Sequence, residues 1–223
     1  MKLLTAGMVV LIGYSILVLQ FYVASKKGYS NTTDVIAKER SLAILNQRHL
    51  LSLFAMAASI LYVDFVNSDW LLLHTTFTTT DLTLILLAGA AAFAVSTSAA
   101  HKALRKEAPV DLAVGSPEIY LLLRVLFLIC YEIFFRGVLL NFCITITTVP
   151  IAIVINVVLY AIAHTFSTRQ ELIGSVPFGI VLCLLTLYTR SVWPAVIIHV
   201  MLGLPYDVRV LYAPKRITKT FSL

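Results

Sequence analysis

Charge, glycine, proline and cysteine are all scarce in this sequence. Charged residues make up 13% of the 223 residues, about half the share found in a soluble globular domain. With 9 glycines and 7 prolines, the chain is neither collagen-like nor compositionally disordered. Cys130, Cys143 and Cys183 lie in or beside apolar segments without the spacing of a zinc site, which is typical of buried small hydrophobic residues.

Long apolar runs dominate the chain instead. Hydrophobic residues make up 60% of it, and the mean hydropathy is +0.93. A bilayer core accommodates about 20 apolar residues per helix. Seven runs fit this length: 3–23, 50–66, 82–100, 118–142, 148–165, 171–189 and 191–212. We therefore predict an all-α polytopic membrane bundle of about seven transmembrane helices, forming one membrane domain over residues 1–223.

The net charge of +6 does not indicate nucleic-acid binding, because the basic residues flank the apolar runs. Lysine and arginine mark the cytoplasmic loops of membrane proteins. Basic clusters follow the first, third and last runs: Lys26, Lys27, Lys38, Arg40 and Arg48, then Lys102, Arg105 and Lys106, then Lys215, Arg216 and Lys219. This alternation predicts an N-terminus outside and a C-terminus in the cytoplasm, with the basic tail resting on anionic lipid.

Six ionisable residues lie within the predicted membrane spans, where apolar side chains are expected. All belong to the last four runs: Glu132, Arg136, His164, Glu171, His199 and Asp207. An ionisable group in a membrane span costs several kcal/mol and usually marks a functional site. The concentration of these groups in one half of the chain therefore predicts a site within the bundle.

The spacing of these residues leaves more than one function open. Glu132 and Arg136 are four residues apart and share a helix face, so they could form a purely structural ion pair. Glutamate and histidine in a poorly solvated site can also activate water for hydrolysis. A proton-coupled transporter needs the same residue types, but the paired broken helices of a transport site are lacking in the sequence.

Three short motifs occur in order along the last four runs. Residues 131–137 read Tyr-Glu-Ile-Phe-Phe-Arg-Gly, residues 160–164 place an aromatic residue four before a histidine, and residues 191–199 lead from Ser-Val-Trp-Pro to a histidine. Together they resemble the three motifs of the CPBP family, the CAAX-protease and bacteriocin-processing membrane proteins. The resemblance covers about 118–207, so residues 118–212 form a CPBP-like core and 1–100 accessory helices.

The resemblance implies an intramembrane endopeptidase in which Glu132 and His164 activate water and His199 stabilises the oxyanion. Its substrate would be a membrane-associated protein or peptide. A divalent metal such as zinc is left open by the family, and the sequence does not require one. The expected location is the cytoplasmic membrane of a bacterium, and the three site side chains should converge within a few ångströms.

The sequence departs from the family pattern at two positions. Tyr131 stands where the family carries the first, catalytic glutamate of a Glu-Glu pair, and Gly203 stands where an Asn or Asp follows the histidine by four residues. Some bacterial members resemble this chain more closely, because they have an aromatic residue before the motif-one glutamate and a second glutamate seven residues after the motif-two histidine. In this chain that second glutamate is Glu171, which would replace the missing carboxylate. Tyr131, Arg136 and Asp207 are then the supporting residues.

Two interpretations follow from this pattern. The first is an active membrane protease with Glu132 or Glu171 as base. The second is a catalytically inactive protein of the same fold that acts as a partner or subunit of a larger membrane complex, as the loss of two family residues suggests.

Overall fold

A computed structural model describes residues 2–29, 32–106 and 115–213. Within these ranges the chain is helical and contains no β-strand, which confirms the all-α class. The helices are α1 (Lys2–Lys26), α2 (Thr32–Glu39), α3 (Ala43–Asn67), α4 (Thr79–Lys106), α5 (Pro117–Glu132), α6 (Leu140–Ile146), α7 (Val149–His164), α8 (Arg169–Thr189) and α9 (Trp193–Leu211). A 3-10 turn (Ser68–Leu71) follows α3, and a π-helical segment (Ile133–Leu139) joins α5 to α6.

Five helices are long and apolar enough to cross a membrane: α1, α3, α4, α8 and α9. The remaining two predicted runs are helical as well. Residues 118–142 lie in α5, the π-helical segment and α6, and α7 is a shorter apolar helix. The polytopic membrane bundle is thus confirmed. The orientation stays a prediction, and the basic tail at 215–219 lies outside the described residues.

The helix ends follow ordinary capping chemistry. Ser116 precedes α5 and its hydroxyl accepts a hydrogen bond from the Ile119 amide, while Pro117 occupies the first turn. Thr168 caps α8 in the same way. Prolines also stand in the first turns of α7 and α9, where a missing amide proton costs nothing.

Helix α5 is central to the bundle. It packs against α3 on one side and α9 on the other, while α4 lies along α9, α1 along α3 and α7 along α8. The main hydrophobic core surrounds the π-helical segment, whose residues 134–139 are all buried. Large apolar side chains point outward instead, among them Phe54, Phe65 and Leu86, each more than 70% exposed. In a bilayer these faces contact lipid.

The connection between the 3-10 turn and α4 is tied to the start of α9. The Val192 amide donates to the Leu72 carbonyl at 3.0 Å, and the Trp193 indole donates to the Leu73 carbonyl at 3.0 Å. The Ser191 hydroxyl donates to the His74 carbonyl at 2.7 Å. Two residues of the third sequence motif, Ser191 and Trp193, therefore hold this connection in place.

Candidate functional site

Glu132 and Arg136 meet where α5 changes into the π-helical segment. Glu132 is the last residue of α5, and Arg136 follows one turn later. Both side chains are completely buried, with Arg136 Nε 3.5 Å from Glu132 Oε2. The ion pair expected from their spacing is therefore present. Short π-helical insertions are costly irregularities that often occur at functional sites.

His199 contacts the same carboxylate from α9. Its Nδ1 lies 2.5 Å from Glu132 Oε1, so one carboxylate oxygen faces the imidazole and the other faces the guanidinium. The His199 ring also packs edge-on against Phe178, with 5.5 Å between ring centroids. The result is a buried Arg–Glu–His arrangement in which each carboxylate oxygen has its own cationic or hydrogen-bonding neighbour.

His164 is oriented by its own helix. Its Nδ1 lies 2.9 Å from the Tyr160 carbonyl oxygen. Because that oxygen can only accept, Nδ1 carries the proton, and Nε2 of the neutral ring is left as an acceptor. The His164 ring is 4.6 Å from the Tyr160 ring and 6.5 Å from the Tyr131 ring.

Two tyrosine rings connect the two histidines. The His199 ring lies 5.7 Å from Tyr131 and 6.4 Å from Tyr160, so both tyrosines neighbour both imidazoles. Of the three side chains expected to converge, Glu132 and His199 are in direct contact. His164 is linked to them through the Tyr131 and Tyr160 rings, which contact both histidine rings.

Tyr131 fills the position that the family motif gives to glutamate. Its ring is buried among Phe127, Phe135 and Tyr160. Its hydroxyl is buried and has no hydrogen-bond partner among the described residues. The ring thus packs beside both imidazoles.

Asn156, which the sequence reasoning did not single out, anchors Arg136. Its Oδ1 accepts from Arg136 Nη1 at 3.1 Å, and its Nδ2 donates to the Phe135 carbonyl at 2.7 Å. Arg136 also lies over the Tyr160 ring at 4.4 Å, a favourable cation–π geometry. A single amide inside the apolar run 149–163 was the signal that could have identified this residue.

Glu171 and Asp207 lie elsewhere. Glu171 is exposed in the first turn of α8, where its amide donates to the Thr168 hydroxyl at 3.3 Å, in the Thr-x-x-Glu pattern of a capping box. Asp207 is buried and forms an ion pair with Arg124 of α5 at 3.1 Å. Neither carboxylate contacts Glu132 or His199 within the described part of the chain. Arg124, an arginine within an apolar run, was also missed at the level of sequence.

The metal left open by the family resemblance finds no ligand set here. Among residues 2–29, 32–106 and 115–213, no three His, Cys, Asp or Glu side chains come together as a metal site. The Nδ1 atoms of both site histidines contact Glu132 and the Tyr160 carbonyl, which leaves Nε2 as the free nitrogen of each ring.

Comparison with known families agrees with the motif-based resemblance. Residues 115–204 match the family model described as Type II CAAX prenyl endopeptidase Rce1-like. This confirms the CPBP-type resemblance, and the matched segment contains Glu132, Arg136, His164 and His199. No curated protein and no solved structure matches the chain.

Proposed function

We propose, from the Rce1-like match over residues 115–204, that this chain is an intramembrane endopeptidase that hydrolyses a peptide bond in a membrane-associated protein or peptide. The match supports the fold of a CAAX-type intramembrane protease. The observation that carries the proposal is the buried contact of 2.5 Å between Glu132 and His199, with Arg136 beside the second carboxylate oxygen.

The proposed role of Glu132 is to orient His199 and to balance its charge. With Nδ1–H donating to the carboxylate, Nε2 of the neutral imidazole carries a lone pair and acts as general base. His199 Nε2 takes one proton from water, and the resulting hydroxide bonds to the carbonyl carbon of the substrate. When the carbon–nitrogen bond breaks, the same proton passes to the departing amine, which restores the neutral imidazole.

Arg136 and His164 support this step. The Arg136 guanidinium lies 3.5 Å from Glu132 Oε2 and so balances the charge of the carboxylate that faces His199. In the proposed site, His164 Nε2 accepts a hydrogen bond from the attacking water and so orients it. Glu171 has no part in the reaction, since its place in the first turn of α8 is that of a capping residue.

The site requires a substrate that reaches it from the bilayer. Glu132 and Arg136 are completely buried in the bundle, and the faces outside it are apolar. A membrane-associated substrate satisfies both conditions. In the predicted orientation, the enzyme belongs to the cytoplasmic membrane of a bacterium with its C-terminus inside.

The test compares protein termini in membranes of the native host that carry wild-type protein, Glu132→Gln or His199→Ala. We expect at least one terminus of a membrane or secreted protein to require wild-type protein and to disappear in both variants. Glu171→Gln should retain that terminus, and this result would distinguish the role of Glu132 from that of Glu171. Asp64→Asn is the matched control, because it neutralises an exposed carboxylate near the C-terminal end of α3.

Two results would contradict this proposal. One is a set of termini that does not change between wild type and Glu132→Gln while both proteins remain folded. The other is one stoichiometric partner that copurifies with all variants in the absence of any cleavage, which would identify the chain as an inactive subunit with a protease fold.

A further inference from the structure

Helices α5 and α9 touch at three evenly spaced levels. An inner contact joins Arg124 to Asp207, a middle contact joins Leu128 to Gly203, and an outer contact joins Glu132 to His199. From one contact to the next, the residue number rises by four on α5 and falls by four on α9. The two helices therefore run antiparallel in one defined register.

The inner contact is an ion pair with one deeply buried partner. Arg124 Nε lies 3.1 Å from Asp207 Oδ2, and the Asp207 side chain is only 3% exposed. The Arg124 guanidinium also stacks near the Phe127 ring, 5.6 Å from its centroid. The Asp207 carboxylate also has the Tyr120 and Thr32 side chains as hydrogen-bond partners. A buried carboxylate without its cation is strongly unfavourable, so the ion pair favours the position of α9 in which Asp207 meets Arg124.

At the middle contact, Gly203 faces Leu128 and the Arg124 guanidinium. A β-carbon at Gly203 would lie 3.4 Å from Leu128 Cδ1 and 3.5 Å from Arg124 Nη2. These are ordinary van der Waals distances, so the two helices pack closely at this level.

The outer contact is the proposed catalytic pair, eight residues from the inner contact on each helix. Eight residues span about 12 Å of α-helix, and one turn spans about 5.4 Å. A slip of α9 by one turn along α5 would separate Arg124 from Asp207 and Glu132 from His199 together. The two polar contacts therefore share one register.

We propose that Arg124 and Asp207 are positioning residues: their ion pair fixes the register of α9 on α5 and thereby places His199 Nδ1 on the Glu132 carboxylate. The expected loss of cleavage rests on the proposed function. The expected change in helix register rests on the helix contacts alone.

The experiment measures both effects in Arg124→Gln, in Asp207→Asn and in the charge-swapped protein Arg124→Asp/Asp207→Arg. Cleavage is read as the Glu132-dependent terminus, at a temperature where each variant is folded. Register is read as the distance between spin labels on cysteines placed at the outward-facing Leu122 and Ile197, after the native cysteines are replaced by alanine. Arg209→Gln, which removes an arginine from the same end of α9, is the control.

We expect each single variant to lose at least tenfold in cleavage and to shift or broaden the label distance by more than about 2 Å, a fraction of the 5.4 Å rise of one turn. The charge-swapped protein should recover both to within threefold of wild-type cleavage. Should it fail to fold, Arg124→Lys, which keeps the charge, should show the same recovery. Arg209→Gln should change neither measurement.

An unchanged label distance in the single variants would overturn the inference. So would cleavage that stays low in folded charge-swapped or Arg124→Lys protein. If no terminus depends on Glu132 even in wild type, the proposed function fails, and the label distance alone decides whether Arg124 and Asp207 set the register.

Discussion

Gly137 in the π-helical segment lies directly against the backbone of Leu71. A β-carbon at position 137 would be 3.1 Å from the Leu71 carbonyl oxygen and 3.3 Å from that of Trp70. Asn141 donates to the same Trp70 carbonyl at 3.0 Å. The 3-10 turn after α3 therefore packs against the π-helical segment, next to the ion pair of Arg136 with Glu132.

Gly137→Ala should destabilise the protein, because the new methyl group meets backbone that cannot rotate away. We expect a loss of about 1–3 kcal/mol, the usual cost of overpacking. Thermal unfolding in detergent measures it. Gly174→Ala is the matched control: position 174 lies inside α8 with no atom within 4 Å of a β-carbon, so alanine should leave stability unchanged or raised. Equal stability of the two variants would contradict the contact.

Arg136→Gln should be among the most destabilising single changes in the bundle. It leaves the Glu132 carboxylate buried without its cation, and breaking such a pair costs about 3–5 kcal/mol. The double variant Glu132→Gln/Arg136→Gln removes both charges and should recover most of that loss. Unfolding of all four proteins completes a double-mutant cycle, and additive losses would show that the two side chains do not interact.

The Tyr131 hydroxyl should lower the stability of the protein slightly. It is buried without a hydrogen-bond partner among the described residues, so Tyr131→Phe should raise stability slightly, by up to about 1 kcal/mol. Tyr131→Ala removes the ring that packs beside both imidazoles and should cost about 3–5 kcal/mol. Melting temperatures in detergent distinguish the two roles. A clear loss in the phenylalanine variant would reveal a partner for the hydroxyl.

Asn156→Leu should destabilise the site without touching its three candidate catalytic side chains. Arg136 Nη1 and the Cys183 thiol, 3.3 Å from the same oxygen, would lose their acceptor. Buried groups left unpaired cost about 1–3 kcal/mol, and more when they are charged. Val154→Leu, on the exposed face of the same helix, should stay within about 0.5 kcal/mol of wild type. Denaturant or thermal unfolding compares them, and a neutral Asn156→Leu would show that Arg136 is anchored elsewhere.

Much of the architecture could be read from the sequence. Apolar runs located the helices, since each run must satisfy its backbone hydrogen bonds internally in lipid. The spacing of Glu132 and Arg136 predicted their shared face, because local periodicity needs no knowledge of the fold. The π-helical segment that contains Arg136 was not predictable in this way, since no residue pattern marks it.

The contacts between distant residues required the tertiary structure. Glu132 and His199 are 67 positions apart, and whether glutamate meets His199 or His164 depends on how the helices pack. Glu171 was a candidate base in the sequence, yet its position in the first turn of α8 gives it a capping environment. Arg124 was not predicted as a site residue, and only the packing of α5 against α9 places it beside Asp207.

The amino-acid sequence is enough to identify a helical membrane protein whose candidate ionisable site residues lie in the last four apolar runs. Composition and short-range spacing carry that information, because they govern the partition into lipid and the faces of single helices. Which of these residues meet one another follows from how the helices pack. That choice depends on contacts between helices, such as Glu132 with His199 and Arg124 with Asp207, whose partners are far apart in the chain.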